Sequence, residues 1–513
     1  MTLLQWFIFF LAVQVIHYLG TWKLYQKAGR KPWEAAVPVY NAVVLMKIIR
    51  KPRWWVILLF IPIVNLIMFP VVWVQILRNF GKTSAMDYIL GIVTLGLYIY
   101  YINYFEDVTY VSQEQYDQEK TGDGTIGSLL FAIVVATIVH TYVMQPFTIP
   151  TASLEKTLLV GDFLFVSKFH YGARTPMTAV AAPMVHDTIP VAGIKSYTNW
   201  PQLPYFRFPG FEKIEKNDIV VFNWPTDTVR YFGDTQTKGL RKPIDKKSNY
   251  VKRCVGTPGD SLSIIDGTVY IDGKELMLSD RAKLQYFHII YAKQGIVNER
   301  MLFESGSTEF GMTNEGKIIA NLTLEGAEKL RGITGIDSII RRSDTTPDSR
   351  VFPHTKPWTG DNMGPIYIPE EGKTVALNTE SLPFYKMIIT EYEGNKLEVN
   401  GNEIKINGEP VTSYTFKQNY YWMMGDNRHN SEDSRYWGFV PENHIVGKPV
   451  FIWMSLDQNE SWKNIGKKVR WERLFTTVGG EGKPVSYFKY FLILLAAWFI
   501  FDYFRKKKRK ANS

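Results

Sequence analysis

Cysteine is almost missing from this chain. The single residue, Cys254, leaves no partner for an internal disulfide and excludes a zinc site built on several thiolates; its expected place is a small apolar slot in a core. Histidine is scarce, with eight in 513 residues. No helix–strand alternation around a glycine-rich phosphate loop is seen, which argues against a dinucleotide-binding domain. The first apolar run has neither a basic segment before it nor a small-residue cleavage site after it. It therefore reads as a retained span, not a removed leader. Acids are nearly missing from the loop Thr21–Arg53, where Lys23, Lys27, Arg30, Lys31, Lys47, Arg50, Lys51 and Arg53 face Glu34 alone.

Hydrophobic residues, by contrast, make up 46% of the chain and aromatics 15%, concentrated towards the two ends. Crossing ~30 Å of hydrocarbon takes roughly 20 apolar residues. Candidate spans are Leu3–Leu19, Trp54–Ile76, Ala85–Tyr104, Ile126–Met144 and Tyr487–Phe504. The basic loop Thr21–Arg53 belongs on the cytoplasmic face. Alternation then puts Asn79–Ser84 outside, Glu106–Thr125 inside, and everything after Met144 outside until the last span returns. The basic run "RKKKRK" (Arg505–Lys510) follows that span as a stop-transfer signal, so the net charge of +10 reflects membrane orientation, not nucleic-acid binding. The stretch "WEAAVPVYNAVVLMKII" has the amphipathic character of a segment lying along the interface.

The region after Met144 changes texture. Short β-favouring runs ("DIVVFNW", "TVYIDG", "GPIYIP", "KLEVNGNEIKING") are separated by Asp266-Gly267, Asp272-Gly273, Asn400-Gly401 and Asn407-Gly408, a pattern of antiparallel hairpins. The expected fold is a multi-span α-helical membrane region plus a mainly antiparallel β extracytoplasmic domain. Its expected parts are 1–125 as the multi-span region, 126–145 as an anchor, 146–486 as the β domain with an insertion at about 261–419, and 487–513 as a last span with a basic tail.

Within "FTIPTASLEKTLLVGD" (Phe147–Asp162), Ser153 follows an extended phrase ending in proline and sits in an expected exposed connection at the sheet edge. A serine hydroxyl becomes a nucleophile only when a base removes its proton. Three sources of a base are open. His170, His429 or His444 would make a Ser-His-Asp arrangement. Ser153-x-x-Lys156 matches the Ser-x-x-Lys element of penicillin-binding enzymes. However, the Lys-Thr-Gly at Lys120–Gly122 precedes it, on the other side of a span. The third is Lys252 in "NYVKRCVGTPGD". There an apolar strand carries Lys252 and Arg253 towards opposite faces before a Pro-Gly turn. Apolar surroundings would lower the lysine from a pKa near 10.4 by the ~2–3 units, roughly 3–4 kcal/mol, needed to hold it neutral. A third segment, "MMGDNRHNSEDSRYWGFVP", sets Asp426, Asp433 and Arg435 for a buried ion network and Ser431 for a hydrogen bond to an amine. His429, Asp426 and Asp433 as a metal cluster match no ligand spacing.

The three segments "IPTASLEKTLLVGDFLFVSKFHYG", "NYVKRCVGTPGD" and "MMGDNRHNSEDSRYWGFVP", in that order, resemble the bacterial type I signal peptidases, membrane-bound Ser-Lys proteases of peptidase family S26. The resemblance implies Ser153 as nucleophile and Lys252 as general base. It implies Thr151 and the Ser153 N–H as oxyanion donors, and Ser431, Asp433, Arg435 and Arg253 as supporting groups. It also implies shallow pockets at Phe147, Ile149, Pro150, Leu154, Tyr250 and Val251 that take the small side chains of Ala-x-Ala. No cofactor and no metal are implied. The implied partners are signal-peptide-bearing preproteins, the bilayer and the secretion translocon, with no nucleic acid. The implied location is the bacterial cytoplasmic membrane, multi-pass, with the catalytic domain outside. Leu154, Lys156 and His429 depart from the family's usual methionine, proline and aspartate, and Lys156 is expected to be solvated. A competing reading is an inactive membrane-anchored β domain that binds exported proteins.

Overall fold

A computed structural model describes residues 1–120, 124–231, 233–237, 239–293 and 295–511. Thr121 and Gly122 of the Lys-Thr-Gly triplet lie outside the described residues. The chain separates into two compact units. One comprises Met1–Val143, Arg174–Phe208 and Thr228–Lys246; the other comprises Met144–Ala173, Pro209–Asp227 and Lys247–Ser513.

Within the first unit, Met1–Val143 is helical. Its N-terminal helix, Leu3–Lys27, opens on a Thr2/Gln5 capping box and is long and apolar enough to cross a membrane. Among the described residues it alone passes that test as one unbroken helix; the expected span at Ala85–Tyr104 is instead two helices, Ala85–Val93 and Tyr98–Phe105, bent by 117°. Gly96 sits at the break with φ +83, a conformation glycine adopts without penalty. The expected span Trp54–Ile76 is divided between Trp55–Leu58 and Val64–Asn79, and Gly124–Ile138 ends in a π-helical turn. The stretch expected at the interface forms a helix, Tyr40–Ile48, whose Val44, Leu45, Met46 and Ile48 join the unit's core with Leu24, Tyr25 and Ile76.

The second unit is mainly antiparallel β. Its strands bearing on the site are, in chain order, β1 (Met144–Thr148), β2 (Asp162–Ser167), β3 (Ile219–Asn223), β4 (Asn249–Gly256), β5 (Gln285–Ala292), β6 (Ile318–Thr323), β7 (Tyr420–Met424), β8 (Val440–Pro441), β9 (Ile445–Ser455) and β10 (Thr476–Thr477). The main sheet runs β1-β2-β9-β3-β4-β7-β8, with β10 beside β9, and every pairing is antiparallel. Thus β1 is a terminal strand. Apolar residues from β2, β3 and β9 pack with Ile149, Leu154 and Leu158 in one core.

The expected insertion folds as further sheets within this unit. One is ordered Ile336–Arg341, β5, β6, Phe310–Met312; another joins Met363–Tyr367 to the strands Ser261–Ile265, Thr268–Ile271 and Lys274–Glu275. Asp266-Gly267, Asp272-Gly273 and Asn407-Gly408 turn their hairpins with both residues at positive φ, the geometry whose twist matches paired strands. The final helix is Phe488–Ala511.

Candidate active site

Ser153 lies on a single 3-10 turn, Ala152–Leu154, reached from β1 through the extended Ile149-Pro150. Leu154, 1% exposed, anchors that turn in the core with Ile149 and Leu158. The turn is consequently buried, with Ser153 only 8% exposed, in place of the exposed connection expected from the sequence. The preceding Thr151 is exposed.

Lys252 comes from β4, where pleating sends successive side chains to opposite faces. Its Nζ lies 2.6 Å from Ser153 Oγ, within a hydrogen bond. The residue is 2% exposed, and burial pulls its pKa down to about 8 against the opposing charge of Asp433. Leu154, Phe147 and Val251 belong to one apolar core, and the Lys252 Nζ stands 5.4 Å from the Tyr250 ring centroid. Of the expected pocket residues, Ile149 and Leu154 are buried, Phe147, Tyr250 and Val251 are half-buried, and Pro150 is exposed.

The opposite face of β4 carries Arg253. It binds Asp426 through two parallel bonds, Nε to Oδ1 at 2.8 Å and Nη2 to Oδ2 at 2.7 Å, while Thr157 Oγ1 donates to the same carboxylate at 2.6 Å. Asp433 takes a separate pair of bonds from Arg435, at 2.8 and 2.9 Å, and accepts the Gly425 N–H at 3.0 Å. Burial alone would raise both carboxyls, but Arg253 and Arg435 hold Asp426 and Asp433 below the usual carboxylate range. The expected single ion network is therefore two separate buried pairs.

Two further expectations are corrected. Ser431 makes no hydrogen bond to the lysine; its hydroxyl is buried beside Gly425, without a hydrogen-bond partner among the described residues. Lys156 is half-buried, and burial lowers its pKa. Its φ of +69° is also outside the range open to proline.

The histidines serve other contacts. His170 Nδ1 bonds Ser167 Oγ at 2.6 Å, and His444 Nδ1 bonds Asn443 Oδ1 at 2.7 Å. His429 Nδ1 accepts the Phe287 N–H at 3.0 Å, leaving Nε2 to donate to Asp361 at 3.0 Å. The histidine ring stacks on Phe287 at 6.0 Å.

Sequence reasoning missed Gly425, Asn427 and Asn321. A Cβ on Gly425 would stand 2.6 Å from the Ser153 carbonyl oxygen, so only glycine allows this approach of the loop to Ser153. Asn427 donates its backbone N–H to Ser153 O and its Nδ2 to Ala152 O, both at 3.1 Å. Asn427 stood inside a segment singled out for its charges; for Asn321, on β6, no pattern in the sequence gave a signal.

The family model described as "Signal peptidase, peptidase S26" matches residues 124–294 and 371–454, and a family of unknown function, DUF5684, matches 33–113. Among curated proteins, the chain is 25% identical to Signal peptidase I of Buchnera aphidicola subsp. Acyrthosiphon pisum, over 68% of this chain and 81% of the relative. It is 26% identical to Signal peptidase I of Haemophilus influenzae, over 69% and 75%, and 25% identical to that of Helicobacter pylori, over 69% and 92%.

Proposed function

The chain belongs to the signal peptidase family, peptidase S26, and from that premise we propose how it cuts signal peptides from preproteins. It is a serine endopeptidase, with Ser153 as its proposed nucleophile and Lys252 as its proposed general base. The single observation that supports this most is the 2.6 Å separation of a buried hydroxyl and a buried amine.

The extended cleavage region of the preprotein adds beside the terminal strand β1, held by backbone hydrogen bonds. Phe147, Ile149, Pro150, Leu154, Tyr250 and Val251 form shallow pockets for the small residues of Ala-x-Ala. Neutral Lys252 accepts the Ser153 hydroxyl proton as the oxygen attacks the scissile carbonyl. The Ser153 N–H and the Thr151 hydroxyl donate to the oxyanion. Collapse of that intermediate expels the mature protein's amine, which takes the proton from Lys252, and leaves an acyl-enzyme on Ser153. Lys252 then removes a proton from water, which attacks the ester and releases the signal peptide. The pairs Arg253–Asp426 and Asp433–Arg435 support the loop that faces the dyad.

The test is incubation of the purified full-length protein with a preprotein, reading the new N-terminus. Cleavage after Ala-x-Ala that disappears in Ser153→Ala supports the assignment; cleavage retained in that variant overturns it.

We further propose that residues 1–125 form a multi-span region of the bacterial cytoplasmic membrane. Residues 126–145 would anchor an extracytoplasmic catalytic domain, 146–486 with its insertion, and 487–513 would return to the cytoplasm. Proximity to the translocon follows from the substrate. The charge asymmetry of the loops and the apolar helix Leu3–Lys27 support this reading. Because Cys254 is fully buried, cysteines introduced one at a time into each loop report their side of the membrane with an impermeant thiol reagent. Labelling of the Thr21–Arg53 loop from outside sealed cells overturns this topology.

A further inference from the structure

The family model breaks between residues 294 and 371, and β6 lies in that unmatched stretch. Yet β6 contributes directly to the loop behind the nucleophile. Asn321 Nδ2 donates to Asn427 Oδ1 at 2.9 Å, and both residues are fully buried. Next to them, the Gln285 N–H of β5 donates to Asp426 O at 2.8 Å, and the Arg428 N–H donates to Gln285 O at 2.9 Å. Asn427 is thus fixed from behind on both its backbone and its side chain.

What it does in front is specific. Its Nδ2 donates to the carbonyl of Ala152 at 3.1 Å. That carbonyl and the Ser153 N–H belong to one planar trans peptide, so they point in opposite directions. Holding the oxygen therefore sets the direction of the N–H. The same bond polarises the amide and makes its N–H a better donor. The Asn427 N–H at 3.1 Å from the Ser153 carbonyl fixes the next peptide as well.

We infer that Asn321, in the insertion, is a positioning residue for the oxyanion site: it orients the Asn427 carboxamide, which aligns the peptide that presents the Ser153 N–H. The inference rests on the Ser153–Lys252 reading. It gives the insertion a part in catalysis through a buried relay of two asparagines. An oxyanion donor acts in the transition state, so its misalignment lowers kcat and leaves KM in place.

The experiment uses the full-length protein and a preprotein substrate. It compares Asn321→Ala, the volume-keeping Asn321→Leu, Asn427→Ala and the double Asn321→Ala/Asn427→Ala. Each is checked for a cooperative melting transition, and kcat is referred to folded protein. Both Asn321 variants should lose about tenfold in kcat with KM within about twofold. The double variant should be no slower than Asn427→Ala by more than about twofold, because both residues act through one bond. The alkaline rise of the pH–rate profile should stay where it is, since Lys252 is untouched. Glu309→Ala serves as a control. It cuts a second contact of the insertion to the same loop, Asn430 Nδ2 to Glu309 Oε1 at 2.6 Å, and should keep kcat within about twofold. Unchanged kcat in folded Asn321→Leu overturns the relay, as do independent losses that multiply in the double variant, or an equal loss in Glu309→Ala. Ser153→Ala is run alongside. Retained cleavage there removes the nucleophile assignment itself, whereas its loss together with an unaffected Asn321→Leu removes only the relay.

Discussion

Lys252 and Ser153 meet at 2.6 Å although 99 residues separate them, one on a strand and the other on a 3-10 turn. In the proposed reaction the amine accepts the proton that the hydroxyl gives up, and burial lowers the amine's pKa towards neutral pH.

Activity should therefore follow the deprotonation of Lys252. With the amine at about 8, the rate rises with pH through that value and levels off above it. Measuring kcat/KM for a preprotein between pH 6 and pH 10 checks this; a flat profile is the contrary result.

Removing Asp433 should move that rise. Its negative charge favours the protonated amine, and the Arg435 left behind repels it, so both changes ease deprotonation. In Asp433→Asn the rising limb shifts to lower pH. The variant is also destabilised, by about 3–5 kcal/mol if the Arg435 charge is left wholly unpaired, which denaturant melts would report.

Burial of Lys252 carries a cost in stability. The folded chain holds the Lys252 proton at about 8 and an unfolded lysine at 10.5, so the unfolded state binds more protons between those values. Stability contributed at this position therefore rises with pH across that window. Below it the deficit is fully present, on the order of 3 kcal/mol. Lys252→Met should be inactive yet more stable at pH 7, with the gain shrinking towards pH 10.5 in thermal melts followed by circular dichroism.

Lys156→Ala should retain most activity, because the amine bonded to Ser153 is that of Lys252. The backbone gives a second readout. At φ +69°, Lys156→Gly should stabilise by roughly 1 kcal/mol, whereas Lys156→Pro should cost about 3 kcal/mol or more. Equal losses of cleavage in Lys156→Ala and Lys252→Ala would reassign the base.

Thr151→Val should lower kcat by about 10²-fold with KM little changed, and Thr151→Ser should restore most of it. Single-turnover acylation separates this from weaker substrate binding.

The site was legible where chemistry and sequence run together. Ser153, Lys252 and the Gly425–Arg435 loop each sit in a short segment with its own local pattern, and the alternation of β4 already sets Lys252 and Arg253 on opposite faces. Hairpins with two central residues at positive φ were legible for the same reason, since Asp-Gly and Asn-Gly carry the turn within themselves. What stayed hidden depends on distance along the chain. Asn321 reaches Asn427 across 106 residues, and nothing in "IIANLT" distinguishes a buried amide that donates to a loop from one that faces water. The pairing of Arg253 with Asp426, and not with Asp433, was equally a matter of where a strand and a distant loop lie. Helix continuity was misjudged because hydropathy averages over the breaks, so it passed through Gly96 and through the stretch between Leu58 and Val64.

The pleat of β4 sets a condition on how this protein can evolve and fail. Sliding that strand by one residue against its neighbours would exchange an amine that can be neutral for a guanidinium that never is. Ser153 would then face a permanent cation, and the carboxylate of Asp426 would lose its fork-shaped mate. No change of composition would be needed to silence the enzyme, only a misalignment of one step.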